Sequence, residues 1–111
     1  MTVPLRAALY LRVSTARQAE HDISIPDQRR QGEAYCAALG HQLVETFVEP
    51  GSTATNDRRP EFQRMLAYCR AHRHKVGYVI VQDLSRFARN NQDQAEAIAD
   101  LEQNGVLLRS T

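Results

Sequence analysis

The stretch that decides the fold is residues 7–13, AALYLRV. It is a nearly continuous apolar run, typical of a strand whose two faces are both covered inside a sheet. Further apolar strands are predicted at Leu43–Val48 and Val76–Val81, and a fourth begins at Val106–Leu108. Because each connection is long enough to hold a helix, the strands are expected to run parallel.

Three helices are predicted between the strands. The first runs from about Pro26 to Leu39 and ends at Gly40, the second begins near Pro60, and the third ends at Gly105. Proline in a first turn and glycine after a last turn are the usual residues there. The positions predicted to face the core are Tyr35, Cys36 and Leu39 in the first helix, Phe62, Met65, Leu66 and Cys69 in the second, and Ala95, Ile98, Ala99 and Leu101 in the third. The pattern predicts an α/β fold, flavodoxin-like, with a mostly parallel sheet of about four strands and helices on both faces.

Length and composition fit a single domain over residues 1–111. The chain is 42% hydrophobic and 24% charged, with a net charge of +1, which is ordinary for a globular protein. It has neither a signal peptide nor an apolar run near the roughly 20 residues that span a bilayer, so we expect a cytoplasmic protein without a membrane partner. Because the sequence stops at Arg109-Ser110-Thr111, directly after an apolar strand, we expect the domain to be truncated at its C-terminus.

Metal and nucleotide chemistry find no support in the sequence. The cysteines, Cys36 and Cys69, form no C-x-x-C pair and lie in apolar helical patterns, where cysteine behaves as a small hydrophobe. His72 and His74 are two residues apart and would point to different faces of a helix. The chain has no P-loop, and its loop carboxylates are scattered, at Asp22, Asp57 and Asp83. We therefore predict no metal and no cofactor.

Three polar segments follow the first three strands, at residues 14–24, 50–59 and 83–89. In an open parallel sheet, ligands bind at the carboxyl ends of the strands. The same edge should therefore carry all three segments, and with them any functional site.

Arginine dominates the basic residues, because Lys75 is the single lysine among the 14 lysine and arginine residues. A GC-rich genome would raise the arginine content everywhere, but the planar guanidinium also matches phosphate. Arg86 and Arg89 would share one face of a helical turn, and Arg59 directly precedes Pro60. These could be solvated arginines that begin helices, although arginine is unfavourable at the positive end of a helix dipole. A bound anion would relieve that conflict.

Ser14 is the candidate nucleophile. Strand alternation places it on the same face as Arg12. The sequence has no G-x-S-x-G motif, and His21 is the one histidine near it, so a hydrolase triad fits poorly. Arginines serve badly as bases but stabilise charge on a phosphoryl group. The alternative is that Ser14 merely caps a turn. Two further candidate polar residues, Gln18 and Gln28, are neutral donors beside the same loop.

Four linked motifs resemble those of the serine recombinase family, the resolvases and invertases. The residues are YLRVST at 10–15 followed by Gln18, SIPDQ at 24–28, RPEF at 59–62 and LSRFARN at 84–90. They occur in the family's order and at compatible spacing, and the second is most familiar from large serine recombinases. The resemblance extends from the first strand to the end of the chain.

The resemblance implies a role for each matching residue. Ser14 would attack a DNA phosphodiester and form a 5′-phosphoserine link, which conserves the bond energy for religation without a cofactor. The residues that would bind the scissile phosphate are Arg12, Arg59, Arg86 and Arg89, with Gln18 and Gln28 in support. Many members have Asp directly before the first arginine of the last motif, whereas this chain has Ser85 there and Asp83 two residues earlier. Asp83 would face the same way on an extended backbone and could take the role of that acid.

The implied protein is a site-specific DNA recombinase whose partners are DNA and further copies of itself, a dimer and, in synapsis, a tetramer. The 111 residues alone are expected to be inactive. A second hypothesis is a catalytically inactive, recombinase-like assembly or DNA-binding module; the intact serine and arginine set argues against it. A third is an unrelated flavodoxin-like domain that binds a small phosphorylated ligand, but the loop at 14–22 contains no glycine for such a site.

Overall fold

A computed structural model of the protein describes residues 5–12, 25–49, 60–73, 75–82 and 91–111. Strands and helices alternate along the chain, as the sequence predicts. In chain order they are β1 (Arg6–Arg12), α1 (Ile25–Leu39), β2 (Gln42–Glu49), α2 (Pro60–Ala71), β3 (Tyr78–Val81), α3 (Asn91–Gln103) and β4 (Leu107–Ser110).

The four strands form one sheet in the order β2-β1-β3-β4, and every neighbouring pair is parallel. The apolar stretch that begins at Ala7 contributes to a central strand of the sheet, since β1 pairs with both β2 and β3. Its residues Ala7 to Leu11 are at most 2% exposed. This confirms the prediction of a strand covered on both faces.

Helices lie on both faces of the sheet, which confirms the predicted fold class. On one face, Phe62, Met65 and Cys69 of α2 pack with Ala97 and Leu101 of α3 against the sheet. On the other face, α1 contributes Cys36, with Ile25 and Tyr35 packed beside it. The two free cysteines are therefore buried in the two core layers. Burial raises the pKa of the Cys36 thiol and raises that of Cys69 to about 11.

The predicted core face of α1 is partly wrong. Leu39 is 53% exposed, and the buried positions are Gln28, Gly32 and Cys36, which recur every four residues along one stripe. A Cβ atom on Gly32 would lie 2.6 Å from Leu9 Cδ2. The close approach of α1 to β1 therefore selects which stripe is buried, and a polar glutamine falls on it.

The predicted core face of α3 is also partly wrong, because Ala95 and Ala99 are exposed. Ala97 and Leu101 are the buried alanine and leucine of that helix. The helix therefore lies rotated from the expected orientation, since a small alanine does not decide which side faces the sheet. Leu101 fixes the buried stripe together with the half-buried Ile98.

The ends of the elements agree with the sequence to within two residues. Gly40 and Gly105 follow α1 and α3 with φ values of 73° and 76°, the left-handed conformation that glycine adopts most readily. Strand β3 starts at Tyr78 rather than Val76, because Val76 N still donates to His72 O in the turn that ends α2. None of the helices in the described ranges is long and apolar enough to cross a membrane.

Candidate functional site at the carboxyl edge of the sheet

The carboxyl ends of β1, β2 and β3 lie at one edge of the sheet. The register pairs Arg12 with Glu49 and Tyr10 with Val81, so the last residues of the three strands are neighbours. The polar segments 13–24, 50–59 and 83–90 continue the chain from these three ends. The strand ends are thus arranged as the sequence predicts; the segments themselves lie outside the described residues.

Two of the eight candidate site residues, Arg12 and Gln28, belong to the part of the chain that the structure describes, and it brings them into contact. The candidates outside the described residues are Ser14, Gln18, Arg59, Asp83, Arg86 and Arg89, as is Ser85. Their assignment remains a prediction from the sequence.

Gln28 holds the end of β1 through its side-chain amide. It lies in the first turn of α1 and is 2% exposed. Its Nε2 donates to the backbone oxygen of Arg12 at 3.2 Å, and its Oε1 accepts from the backbone nitrogen of Arg12 at 3.4 Å. The Gln28 amide thus bonds to the backbone of the last residue of β1 in the way that the backbone of a neighbouring strand would. This pair of bonds fixes the backbone from which the Arg12 side chain extends.

The Arg12 side chain is half-buried and incompletely paired. Its Nε is buried and finds no hydrogen-bond acceptor among the described residues. A buried donor left without an acceptor costs free energy, and more so when the group is charged. Among the described residues, the carboxyl edge therefore holds a buried guanidinium donor without an acceptor. The oxygens of phosphate are strong acceptors for a guanidinium.

Glu49, the last residue of β2, is a buried acid that none of the sequence motifs singles out. It is 2% exposed. Its Oε1 accepts from Glu61 N at 3.3 Å, and its Oε2 accepts from Phe62 N at 3.0 Å. These two amides belong to the first turn of α2, where backbone N–H groups have no partner within the helix.

Tyr10 is the third group that holds this carboxylate. Its hydroxyl donates to Glu49 Oε2 at 2.9 Å, and its ring meets that of Phe62 edge-on, with a centroid distance of 5.5 Å. A strand alternation that runs past Val48 would have placed Glu49 on the same side as the buried Phe47. That signal was available, but the Pro50-Gly51 turn favoured ending the strand one residue earlier.

Metal binding has no support in the described residues, which contain no group of three or more His, Cys, Asp or Glu side chains that could hold an ion. His72 donates through Nδ1 to the Tyr68 backbone oxygen, at 2.9 Å, and stacks on the Tyr68 ring. This histidine therefore has a local structural role at the end of α2.

Comparison with known families gives a match over residues 7–111 to the family described as "Resolvase, N terminal domain". A curated relative, "Uncharacterized immunity region protein 3" of Bacillus phage phi105, is 32% identical over 65 residues. That alignment covers 59% of this chain and 79% of the phage protein.

Solved structures agree with the family match. A resolvase family site-specific recombinase from Streptococcus pneumoniae superposes with a TM-score of 0.83 at 29% identity, over 96% of this chain and 71% of that one. The N-terminal catalytic domain of TP901-1 integrase superposes with a TM-score of 0.78 at 26% identity, over 95% and 75% of the two chains.

Proposed function

Because the chain belongs to the family of resolvase N-terminal domains, we propose that it is the catalytic domain of a serine site-specific DNA recombinase. Its substrate would be duplex DNA, and its working form an oligomer of identical chains. The similar proteins from Streptococcus pneumoniae and TP901-1 are a site-specific recombinase and an integrase catalytic domain, which supports the substrate class.

The buried Nε of Arg12, which has no hydrogen-bond acceptor among the described residues, carries this proposal. A nonspecific basic surface would keep its guanidinium groups in water, where they need no protein or ligand acceptor. Arg12 instead lies at the carboxyl end of the central strand, with its backbone held by Gln28. A guanidinium at this edge is stabilised when an anion binds there, and a phosphodiester is the anion that the family match indicates.

The proposed reaction begins with Ser14, two residues after Arg12 in the sequence. Ser14 Oγ attacks the scissile phosphorus and loses its proton, while the bond from phosphorus to the 3′ oxygen breaks and that oxygen gains a proton. The products are a 5′-phosphoserine and a free 3′-hydroxyl. Religation reverses the step: a 3′-hydroxyl from the exchanged strand attacks phosphorus and loses its proton, while the bond from phosphorus to Oγ breaks and Oγ regains a proton.

The four arginines Arg12, Arg59, Arg86 and Arg89 would neutralise the charge that develops on the phosphoryl oxygens. Gln18 and Gln28 would support them. Gln28 would act through the backbone of Arg12, since that is what its amide contacts. Asp83 would orient Arg86 or relay a proton in place of the acid that this chain lacks at Ser85.

Capture of the covalent intermediate tests the proposed function. The intact protein that carries these residues is incubated with sheared host DNA, and protein-linked DNA is recovered under denaturing conditions. Mass spectrometry after nuclease digestion then maps the attached residue. We expect a phosphodiester link on Ser14, no adduct with Ser14→Ala, and an adduct with the matched control Ser85→Ala. An adduct that survives Ser14→Ala, or that maps to Ser85, contradicts the mechanism.

A further inference from the structure

We propose that Gly32 is a positioning residue for the phosphate site: because it has no side chain, α1 approaches β1 so closely that Gln28, one helical turn earlier, reaches the backbone of Arg12. The inference rests on the proposed function for the statement that Arg12 binds a phosphate. It assigns a task to a residue that lies outside the four sequence motifs and has no functional group of its own.

Gly32 is an unusual residue for the interior of a helix. It lies in the middle of α1 and is buried, although glycine is among the residues that stabilise a helix least. A Cβ atom at this position would lie 2.6 Å from Cδ2, 2.9 Å from Cδ1 and 3.3 Å from Cγ of Leu9. Any side chain at position 32 therefore competes with Leu9 for the same space. The close approach to β1 is what requires a glycine here.

Leu9 has little room to give way to such a side chain. It is fully buried, in the core layer that also contains Leu11, Cys36 and Ile80. A close-packed core has few voids that would accept a rotated leucine. Rotation about the bond between Cβ and Cγ leaves Cγ in place, and this atom alone would lie 3.3 Å from the added Cβ. We therefore expect the helix, rather than the leucine, to move.

Gln28 would move together with the helix. It precedes Gly32 by four residues, so both lie on the same face of α1, and both are buried. Ordinary contact begins at 3.4 Å, so a Cβ atom that starts at 2.6 Å needs about 0.8 Å of additional separation. The bonds from Gln28 to the Arg12 backbone measure 3.2 and 3.4 Å, at or beyond the long end of the usual range. A fraction of that displacement is enough to break them.

The Gln28 contact affects phosphate binding through Arg12. This arginine ends β1, and its Nε is buried with no acceptor among the described residues. A donor that is already ordered binds an anion more tightly than one that must be ordered on binding, because ordering costs free energy. When Gln28 is displaced, the end of β1 loses two bonds that hold it. Phosphate binding then becomes weaker although every charged group is still present.

A titration with inorganic phosphate tests the positioning role. It uses the folded chain at constant ionic strength and follows the Nε–H signal of Arg12 by NMR. We expect Gly32→Ala to weaken phosphate binding about fivefold or more, as fits the loss of one hydrogen bond. The matched control is Gly77→Ala, the same substitution at a glycine whose added Cβ would meet no atom closer than 3.7 Å. This control should leave phosphate binding unchanged.

A second substitution separates position from stability. Leu9→Ala removes the three atoms that a Cβ at position 32 would meet, but it also removes core packing and lowers the free energy of unfolding. The double variant Leu9→Ala/Gly32→Ala should recover the parental phosphate affinity, although it is less stable than the parent protein. An effect of lost stability alone predicts no such recovery.

Hydrogen exchange follows the Gln28 contact without phosphate. The Arg12 amide donates to Gln28 Oε1, so it should exchange about tenfold faster in Gly32→Ala, as expected when a hydrogen bond is lost. In Gly77→Ala and in the double variant it should exchange at the parental rate. If Gly32→Ala does not fold, both measurements compare Leu9→Val with Leu9→Val/Gly32→Ala, since valine lacks the two Cδ atoms and leaves a milder conflict. Weaker binding and faster exchange are then expected in the double variant.

The controls separate a wrong positioning role from a wrong phosphate site. Equal phosphate binding in Gly32→Ala and Gly77→Ala overturns the positioning role, as does a loss that Leu9→Ala fails to reverse. In the Leu9→Val background, equal binding with and without Gly32→Ala overturns it as well. If phosphate leaves the Arg12 signal of the parent protein unchanged, the phosphate site of the proposed function is wrong. Hydrogen exchange then decides the positioning of Arg12 alone, and equal rates in Gly32→Ala and Gly77→Ala overturn it.

Discussion

Replacing Gln28 with alanine should destabilise the domain strongly, although the residue is polar and lies in a helix. The side chain is 2% exposed. Its amide group forms hydrogen bonds with both the backbone N–H and the backbone carbonyl of Arg12. Alanine leaves both backbone groups without these partners. Each buried polar group that loses its partner costs about 1–3 kcal/mol.

The two bonds have lengths of 3.2 and 3.4 Å, at or beyond the long end of the usual range, so values toward the lower end apply. We expect Gln28→Ala to lower the free energy of unfolding by about 2–3 kcal/mol, which is a large part of the about 5–15 kcal/mol of a typical domain. The folding equilibrium constant would fall about 30- to 150-fold.

Urea denaturation followed by circular dichroism measures this difference. The matched control is Gln31→Ala, three residues along the same helix and exposed, where the free energy of unfolding should change by less than about 0.5 kcal/mol. A result for Gln28→Ala within about 0.5 kcal/mol of this control would show that the amide does not hold β1. The comparison requires that the free energy of unfolding has the same slope against urea concentration in the parent protein and in both variants.

Three further changes test other parts of the structure. Gly40→Ala should cost about 1 kcal/mol in urea denaturation because φ is +73° there, whereas Gly77→Ala, at an ordinary φ with room for a Cβ, should be nearly neutral. Burial raises the pKa of Cys69 from 9.0 to about 11, so the folded state keeps a proton that the unfolded state loses. Stability should therefore fall as pH rises from about 9 to 11, and less steeply in Cys69→Ala; equal slopes would refute this. Asp83→Asn should slow adduct formation by about 10²-fold or more if this acid takes part in proton transfer, and an unchanged rate would show that the reaction does not need it.

The fold could be predicted from the sequence because its main signals are local. The apolar run at residues 7–13 required cover on both faces, and the alternation of strands with helices allowed a parallel sheet as the compact arrangement. Gly40 and Pro60 marked helix ends through constraints of their own backbones. None of these inferences needed a contact between distant residues.

The errors arose where packing between elements decides the outcome. Leu39 is apolar but exposed, and Gln28 is polar but buried, because the approach of α1 to β1 at Gly32 selects the buried stripe. Hydrophobicity alone cannot reveal that choice. For the candidate site, the motifs could name Arg12 and Gln28 as members, but not the amide–backbone contact that joins them.

The sequence by itself determined the order of the elements, the parallel sheet and the edge at which polar segments follow the strands, since periodicity and turn residues act within a few positions of one another. The tertiary structure alone decided that the Nε of Arg12 is buried with no acceptor among the described residues. It also decided that Glu49 accepts from the first amides of a helix that begins 11 residues further along the chain. Those properties depend on which groups meet once the chain has closed on itself. A carboxylate at the end of a strand looks solvated in the sequence until the fold supplies the three donors that make its burial stable.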